Sequence, residues 1–65
     1  MQNFWFKDYY IMLEKYSNGS IKAIANGDND RFGEVFYGYP LSYIVKKMRS
    51  DCRYRIKNNI RRGYD

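Results

Sequence analysis

Residues 8–25 read DYYIMLEKYSNGSIKAIA, and this stretch decides the fold that we expect. Apolar-rich runs stand on both sides of Asn18-Gly19, and an Asn-Gly pair in such a setting is the strongest short-range signal for a β-hairpin. The sequence therefore predicts two antiparallel strands joined by a tight turn between Tyr16 and Ser20.

The turn has two candidate registers, and the charges beside it distinguish them. A two-residue loop would place Lys15 opposite Lys22, where the two cations repel each other. A three-residue loop with Gly19 in the left-handed conformation of a bulge would instead place Glu14 opposite Lys22. We therefore expect the second register. It collects an apolar face made of Tyr9, Ile11, Leu13, Ile21, Ala23 and Ala25.

The segment after the hairpin predicts a third strand. Residues 26–30 read Asn-Gly-Asp-Asn-Asp, and we expect these turn-forming residues and acids to make a solvated connection. From Arg31 to Tyr37 the side chains alternate in two sets, as they do on the two faces of a strand. Gly38 is expected to end this strand. Three antiparallel strands are stable when another element covers their apolar face.

The carboxyl-terminal segment predicts the element that covers the sheet. Pro40 suits the first turn of a helix, where its missing N–H group costs nothing. No Gly or Pro interrupts Leu41–Arg62, and Gly63 is a suitable stop. Apolar residues recur here at spacings of three and four, which is typical of one buried stripe on a helix. The stripe consists of Leu41, Ile44, Val45, Met48, Cys52, Ile56 and Ile60.

The expected fold class is α+β, with a small three-stranded antiparallel sheet covered by a C-terminal basic amphipathic helix. Residues 1–65 are expected to form a single small domain. One alternative stays open, because residues 52–57 alternate strictly between apolar and basic side chains, as a half-buried strand does. In that alternative the helix ends near Asp51, and residues 52–57 form a fourth strand.

Positive charge is concentrated toward the carboxyl end of the chain. Residues 40–65 contain eight bases and two acids, a balance of +6, whereas residues 1–39 contain four bases and five acids, a balance of −1. Such a field attracts a polyanion or an acidic protein surface to one end of a molecule. Helical spacing places the following residues opposite the apolar stripe: Tyr43, Lys46, Lys47, Arg49, Arg53, Tyr54, Lys57 and Arg61.

We expect this basic helix face to bind nucleic acid as a non-catalytic module. Lys and Arg neutralise phosphates and release counterions, and Tyr rings stack on exposed bases. An ordinary exposed helix mixes both charge signs for i, i+4 pairing, whereas this face lacks balancing Glu. The cations are therefore expected to contact phosphates, with Tyr43 and Tyr54 as stacking groups. No base-reading motif is present, so sequence-specific recognition is not predicted.

A second class of function stays open. Phe, Tyr, Ile, Asn and Lys, whose codons are A/T-rich, make up thirty of the sixty-five residues, a bias that fits a low-G+C bacterium or one of its phages. The chain also fits a small phage or mobile-element accessory protein that binds an acidic host protein surface and inhibits or modulates the host protein. Tyr, Trp and Arg dominate the hot spots of protein interfaces.

The composition argues against an enzyme, a cofactor and a metal site. The chain has no His, which removes the usual general base near neutral pH and the common Cys/His zinc arrangements. Cys52 is the only Cys, and its place on the apolar stripe predicts a core residue. A lone Cys forms no intrachain disulfide, so we expect a reducing, cytoplasmic setting.

A membrane span is not expected, because no run approaches the roughly 18 apolar residues that a spanning helix requires. A chain this short buries a small core, which leaves a homodimer open as a further source of stability. Trp5, together with Phe4 and Phe6, is expected in the core or in a dimer contact.

Overall fold

The computed structural model describes residues 2–28 and 30–58. Within these ranges the chain forms four strands and one helix: β1 (Gln2–Phe6), β2 (Tyr9–Lys15), β3 (Ile21–Asn26), β4 (Arg31–Phe36) and α1 (Leu41–Lys57). Each strand pairs antiparallel with the next one in the chain, so the strand order is β1-β2-β3-β4. The α+β class, with an antiparallel sheet and a C-terminal helix, is confirmed.

The expectation of three strands is wrong, because residues 2–6 form an additional strand at the edge of the sheet. The alternative had the right number of strands but placed the fourth at residues 52–57, which are helical. A two-residue turn joins β1 to β2, and in it Lys7 has a φ of 55°. This left-handed conformation is uncommon for a residue with a β carbon, so Lys7-Asp8 carries no hairpin signal.

The hairpin of β2 and β3 has the predicted register. Glu14 lies opposite Lys22, and the three-residue loop ends at Gly19, which has a φ of 91°. The side-chain oxygen of Asn18 accepts hydrogen bonds from the Ser20 backbone N–H at 2.9 Å and from the Ser20 hydroxyl at 2.7 Å. These bonds hold the loop, and the loop sets which side chains of both strands face the helix.

The core lies between α1 and one face of the sheet. Side chains alternate between the two faces of each strand, and the face toward the helix carries the apolar set that the hairpin pattern predicts, with Ile21 only partly buried. Small side chains at the centre of β3 let the helix approach closely. The buried apolar residues are Tyr9, Ile11, Leu13, Ala23, Ala25, Phe36, Ile44, Met48 and Cys52.

The helix is continuous from Leu41 to Lys57, as its apolar stripe predicts. At its end, the backbone N–H and the side-chain amide of Asn58 both donate to the Tyr54 carbonyl, at 3.0 and 2.8 Å. Ile60, Arg61 and Gly63, which were expected in or just after the helix, lie outside the described residues. In the described part of the chain, no helix has the length and apolar character that a membrane crossing requires.

One acid of the connection between β3 and β4 is buried, contrary to the expectation of a solvated turn. The Asp30 side chain is 1% exposed and accepts a hydrogen bond from the Tyr9 hydroxyl at 2.7 Å. The Arg55 guanidinium donates through Nε to one carboxylate oxygen and through Nη2 to the other at 3.1 Å. The Arg55 hydrogen bonds hold the pKa of Asp30 below its ordinary value. A buried carboxylate is tolerated here because a cation compensates it.

Candidate nucleic-acid interface

Four of the predicted cations lie together on the outward side of α1. At about 100° per residue they fall within an arc of about 80°, and they extend about 16 Å along the helix axis. All four side chains are exposed, and none forms a salt bridge with a carboxylate of the described residues. We call this set the cationic ridge; it consists of Lys46, Arg49, Arg53 and Lys57.

Two arginines of the cationic ridge rest on aromatic rings of β1. The guanidinium carbon of Arg49 lies 5.8 Å from the ring centroid of Phe4 and 5.7 Å from that of Phe6. The corresponding carbon of Arg53 lies 5.2 Å from the Phe6 centroid. Cation–π contacts orient these planar groups without using their N–H donors, which stay available for phosphate oxygens. Lys7, with its ammonium 5.6 Å from the Phe6 centroid, adds a cation at the same edge.

Lys47 lies on the other flank of the helix, where acids of the chain neutralise it. Its ammonium donates to the two carboxylate oxygens of Asp51 at 3.1 and 3.3 Å and lies 3.7 Å from a carboxylate oxygen of Glu34. The hydrogen bonds to Asp51 raise the pKa of Lys47 above its ordinary value. Because its charge is locally balanced, Lys47 adds little to the field of the cationic ridge.

The two tyrosines expected to stack on bases flank the cationic ridge on the side toward β4, because Tyr43 precedes Lys46, and Tyr54 precedes Lys57, by three residues of the helix. Tyr43 stacks on Tyr39 with centroids 4.7 Å apart and also meets the edge of Phe36 in β4. Tyr54 is eleven residues further along and therefore lies within about 20° of Tyr43 around the helix. Arg49, in contrast, reaches β1 at the opposite edge of the sheet. The predicted rings therefore lie beside the two lysines of the ridge, whereas its two arginines lie on the β1 side.

Several groups near the ridge were not predicted, because β1 was not recognised as a strand. Phe4 and Phe6 face the helix and pack against the core, whereas Trp5 is 69% exposed on the opposite face. Of the two places expected for Trp5, the core is therefore wrong, since alternation along β1 turns this residue away from its two neighbours, and a dimer contact stays a prediction. One signal in the sequence did favour a strand here, because aromatic residues are enriched in β-strands and residues 4–6 are all aromatic.

Cys52 is fully buried on the side of the helix that faces the sheet, as expected for a core residue. Removal from water raises the pKa of its thiol to about 11, and the negative charge of Asp51 acts in the same direction. A thiolate is the reactive form of Cys, so this environment disfavours nucleophilic chemistry at neutral pH.

The cationic ridge presents ammonium and guanidinium donors along one side of a rigid helix, which is the chemistry that recognises rows of phosphates. The aromatic rings in cation–π contact with its two arginines belong to β1 of the sheet. A scan against models of protein families gives no match to this chain, and searches of curated proteins and of solved structures give none either.

Proposed function

We propose that this chain is a non-catalytic nucleic-acid-binding module whose cationic ridge contacts the phosphate backbone. The supporting observation is the contrast between two groups of helix cations. The four residues of the ridge are exposed and form no salt bridge with any described carboxylate, whereas Lys47 and Arg55 are paired with acids of the chain. Unpaired cations on one side of a helix keep their full attraction for a polyanion.

The length of the ridge matches a short run of phosphates. DNA carries one phosphate per about 3.4 Å of helix axis on each strand, so a ridge about 16 Å long spans about five of them. Each ridge cation can therefore contact a different phosphate. Neutralising four phosphates gives an expected slope of about −3 to −4 for the logarithm of the binding constant against the logarithm of salt concentration.

The test measures this slope by fluorescence anisotropy with a labelled DNA duplex between about 50 and 200 mM salt. The double variant Lys46→Gln, Lys57→Gln removes two ridge cations that form no salt bridge or cation–π contact with the described residues, so it is expected to fold normally. Its slope should be smaller by about 2 than that of the unmodified chain.

Lys47→Gln is the matched control, because it makes the same chemical change on the same helix at a cation that is already neutralised. Its slope should equal that of the unmodified chain. An absence of affinity at low salt, or equal slopes for the double variant and the unmodified chain, would contradict the proposal.

A second candidate is an accessory protein of a phage or mobile element that binds a host protein and inhibits or modulates it. It is favoured by the exposed tyrosines around the junction of β4 and α1, where Tyr37 is 69% exposed and Tyr39 stacks on Tyr43. Affinity capture from a bacterial lysate, with and without nuclease, separates the two candidates. A partner that remains after nuclease treatment and is lost in Tyr39→Ala supports protein binding, whereas capture that disappears with nuclease supports the nucleic-acid proposal.

A further inference from the structure

The sheet face opposite α1 carries a set of side chains that the cationic ridge does not use. Residues that lie directly opposite each other in an antiparallel sheet project from the same face. The register of the three strand pairs therefore aligns one residue from each strand, and we call this set the aromatic row: Trp5, Tyr10, Asn26 and Arg31. At about 4.8 Å between strands, the row is about 14 Å long.

One end of the aromatic row is an exposed pair of rings. The centroids of Trp5 and Tyr10 are 5.0 Å apart with the ring planes tilted by 52°. Trp5 is largely exposed, whereas Tyr10 is partly buried and supports it from the neighbouring strand. Indole rings are costly to leave in water, and an exposed one in contact with a second ring offers a ready surface for stacking.

Apolar side chains and a glycine lie on the surface beside the aromatic row. Met12 and Ile24 are partly buried there, and Gly33 stands opposite Ile24 on β4. A β carbon at Gly33 would lie 3.1 Å from the Ala23 carbonyl oxygen and 3.3 Å from the Ile24 side chain. The glycine therefore keeps this part of the sheet free of a projecting side chain, and a depression lined by Ile24, Gly33 and Arg31 runs across it.

The charges on this face are unbalanced in favour of cations. Arg31 and Lys22 project from it, and Glu14 is its acid among the described residues. Neither cation forms a salt bridge with a described carboxylate. Glu34 lies on the other face, where it is close to Lys47. The face thus combines stacking groups at one end with an unpaired guanidinium at the other.

We propose that this open face binds single-stranded nucleic acid. One base stacks on Trp5, Arg31 contacts a phosphate about 14 Å away across the sheet, and the Asn26 amide between them can donate to and accept from a base edge. This inference rests on the proposed function for its ligand class, and it adds a second face and a preference for unpaired strands. A duplex keeps its bases stacked inside and cannot offer one to Trp5.

A second copy of the chain fits this face less well than a nucleic acid does. Packing two such faces together would bury Asn26 and Arg31 of both copies, and a buried guanidinium without an anion is unfavourable. Glu14, the acid of the face, is four residues from Tyr10 along β2, or about 13 Å. A phosphodiester backbone supplies the missing anion directly.

The test uses the fluorescence of Trp5, which is the only Trp in the chain. A single-stranded oligothymidine should quench Trp5 emission, because a base stacks on the indole. The matching duplex and inorganic polyphosphate carry the same kind of charge without an exposed base, and they should leave the emission largely unchanged. Anisotropy of labelled strands reports binding independently of the indole.

The variant Trp5→Ala should lower the affinity for the single strand by about tenfold and leave the affinity for the duplex unchanged. Tyr37→Ala removes an equally exposed aromatic ring at the junction of β4 and α1 and is the matched control, with both affinities expected to stay the same. Circular dichroism establishes that both variants fold. The double variant Lys46→Gln, Lys57→Gln should bind more weakly but keep the quenching.

Each contrary outcome has a distinct meaning. Unchanged emission together with salt-dependent binding of duplex and single strand would overturn the assignment of the open face and leave the cationic ridge in place. An absence of binding to every nucleic acid would overturn both proposals. Emission that changes with protein concentration alone, together with the molar mass of a dimer, would identify a second copy as the occupant and overturn this inference.

Discussion

Arg55 and Asp30 join the second half of the helix to the connection between β3 and β4, across 25 positions of the chain. The carboxylate is almost completely buried, and the guanidinium that compensates it lies 4.5 Å from the centroid of the Phe32 ring. Tyr9, from β2, donates its hydroxyl hydrogen to the same carboxylate. This end of the helix is therefore docked on the sheet through charge as well as through apolar contacts.

Replacing Asp30 with Asn should lower the free energy of unfolding by about 3 kcal/mol, because Arg55 would be left without the anion that compensates it. Urea denaturation followed by Trp5 fluorescence measures this change. Asp28→Asn makes the same substitution at an exposed acid of the same connection, and it should change the free energy of unfolding by less than about 0.5 kcal/mol. Equal stability of the two variants would contradict the role of the pair.

The same pair predicts how stability depends on pH. The Arg55 hydrogen bonds lower the pKa of Asp30, so its contribution is complete above the unfolded pKa of about 3.9 and is lost as the pH falls through the lower folded value. The stability difference between the unmodified chain and Asp30→Asn should therefore be large at neutral pH and shrink in strong acid. Urea titrations of both proteins at neutral and acidic pH test this, and a difference that stays constant would argue against it.

Cys52 should react with thiol reagents only when the helix leaves the sheet. Its side chain is fully buried and its thiol has a pKa raised to about 11, so both access and ionisation oppose the reaction at mildly alkaline pH. Labelling with a chromogenic disulfide should be slow in buffer and fast in urea. The variant Ser50→Cys, Cys52→Ala places the thiol on the exposed side of the same helix and provides the fast control. Equal rates for the two proteins in buffer would show that the core is open.

Replacing Gly19 with Ala should destabilise the β2–β3 hairpin by about 1 kcal/mol. No atom lies within 4 Å of the added β carbon, so the cost comes from the positive φ of 91° rather than from a clash. Ser17→Ala, in the same loop, should have an effect below about 0.5 kcal/mol. Thermal unfolding of both variants provides the comparison, and a neutral Gly19→Ala would mean that the loop relaxes to another conformation.

The elements governed by local patterns could be predicted from the sequence. The register of the β2–β3 hairpin follows from Asn18-Gly19 and from the charges of Glu14 and Lys22, all within a few residues of the turn. The helix follows from apolar spacing alone. β1 could not be recognised in the same way, because Phe4, Trp5 and Phe6 are apolar on both faces and give no alternation.

The candidate site was predictable only in part. Periodicity is sufficient to place Arg49 and Arg53 on the outward side of the helix. Lys47 is neutralised mainly by Asp51, four residues along the same helix, a local pair that the sequence interpretation overlooked. The burial of Asp30, in contrast, depends on Arg55, which is distant in sequence. Which cations keep an unbalanced charge is therefore decided by local spacing for Lys47 and by tertiary packing for Arg55.

The consecutive order of the strands has a consequence for synthesis on the ribosome. Each strand of the described sheet meets its neighbour through a short loop, so little closure entropy opposes its assembly. The sheet can form once Phe36 has emerged from the ribosome. Its apolar face stays uncovered until Lys57, the last residue of the helix, has emerged as well. At about 5 to 20 residues per second this interval lasts about 1 to 4 s. During that time the nascent chain displays the surface on which chaperones act. A chain stalled behind a linker that carries residues 1–40 out of the exit tunnel, with α1 left out, should therefore be a measurable chaperone substrate.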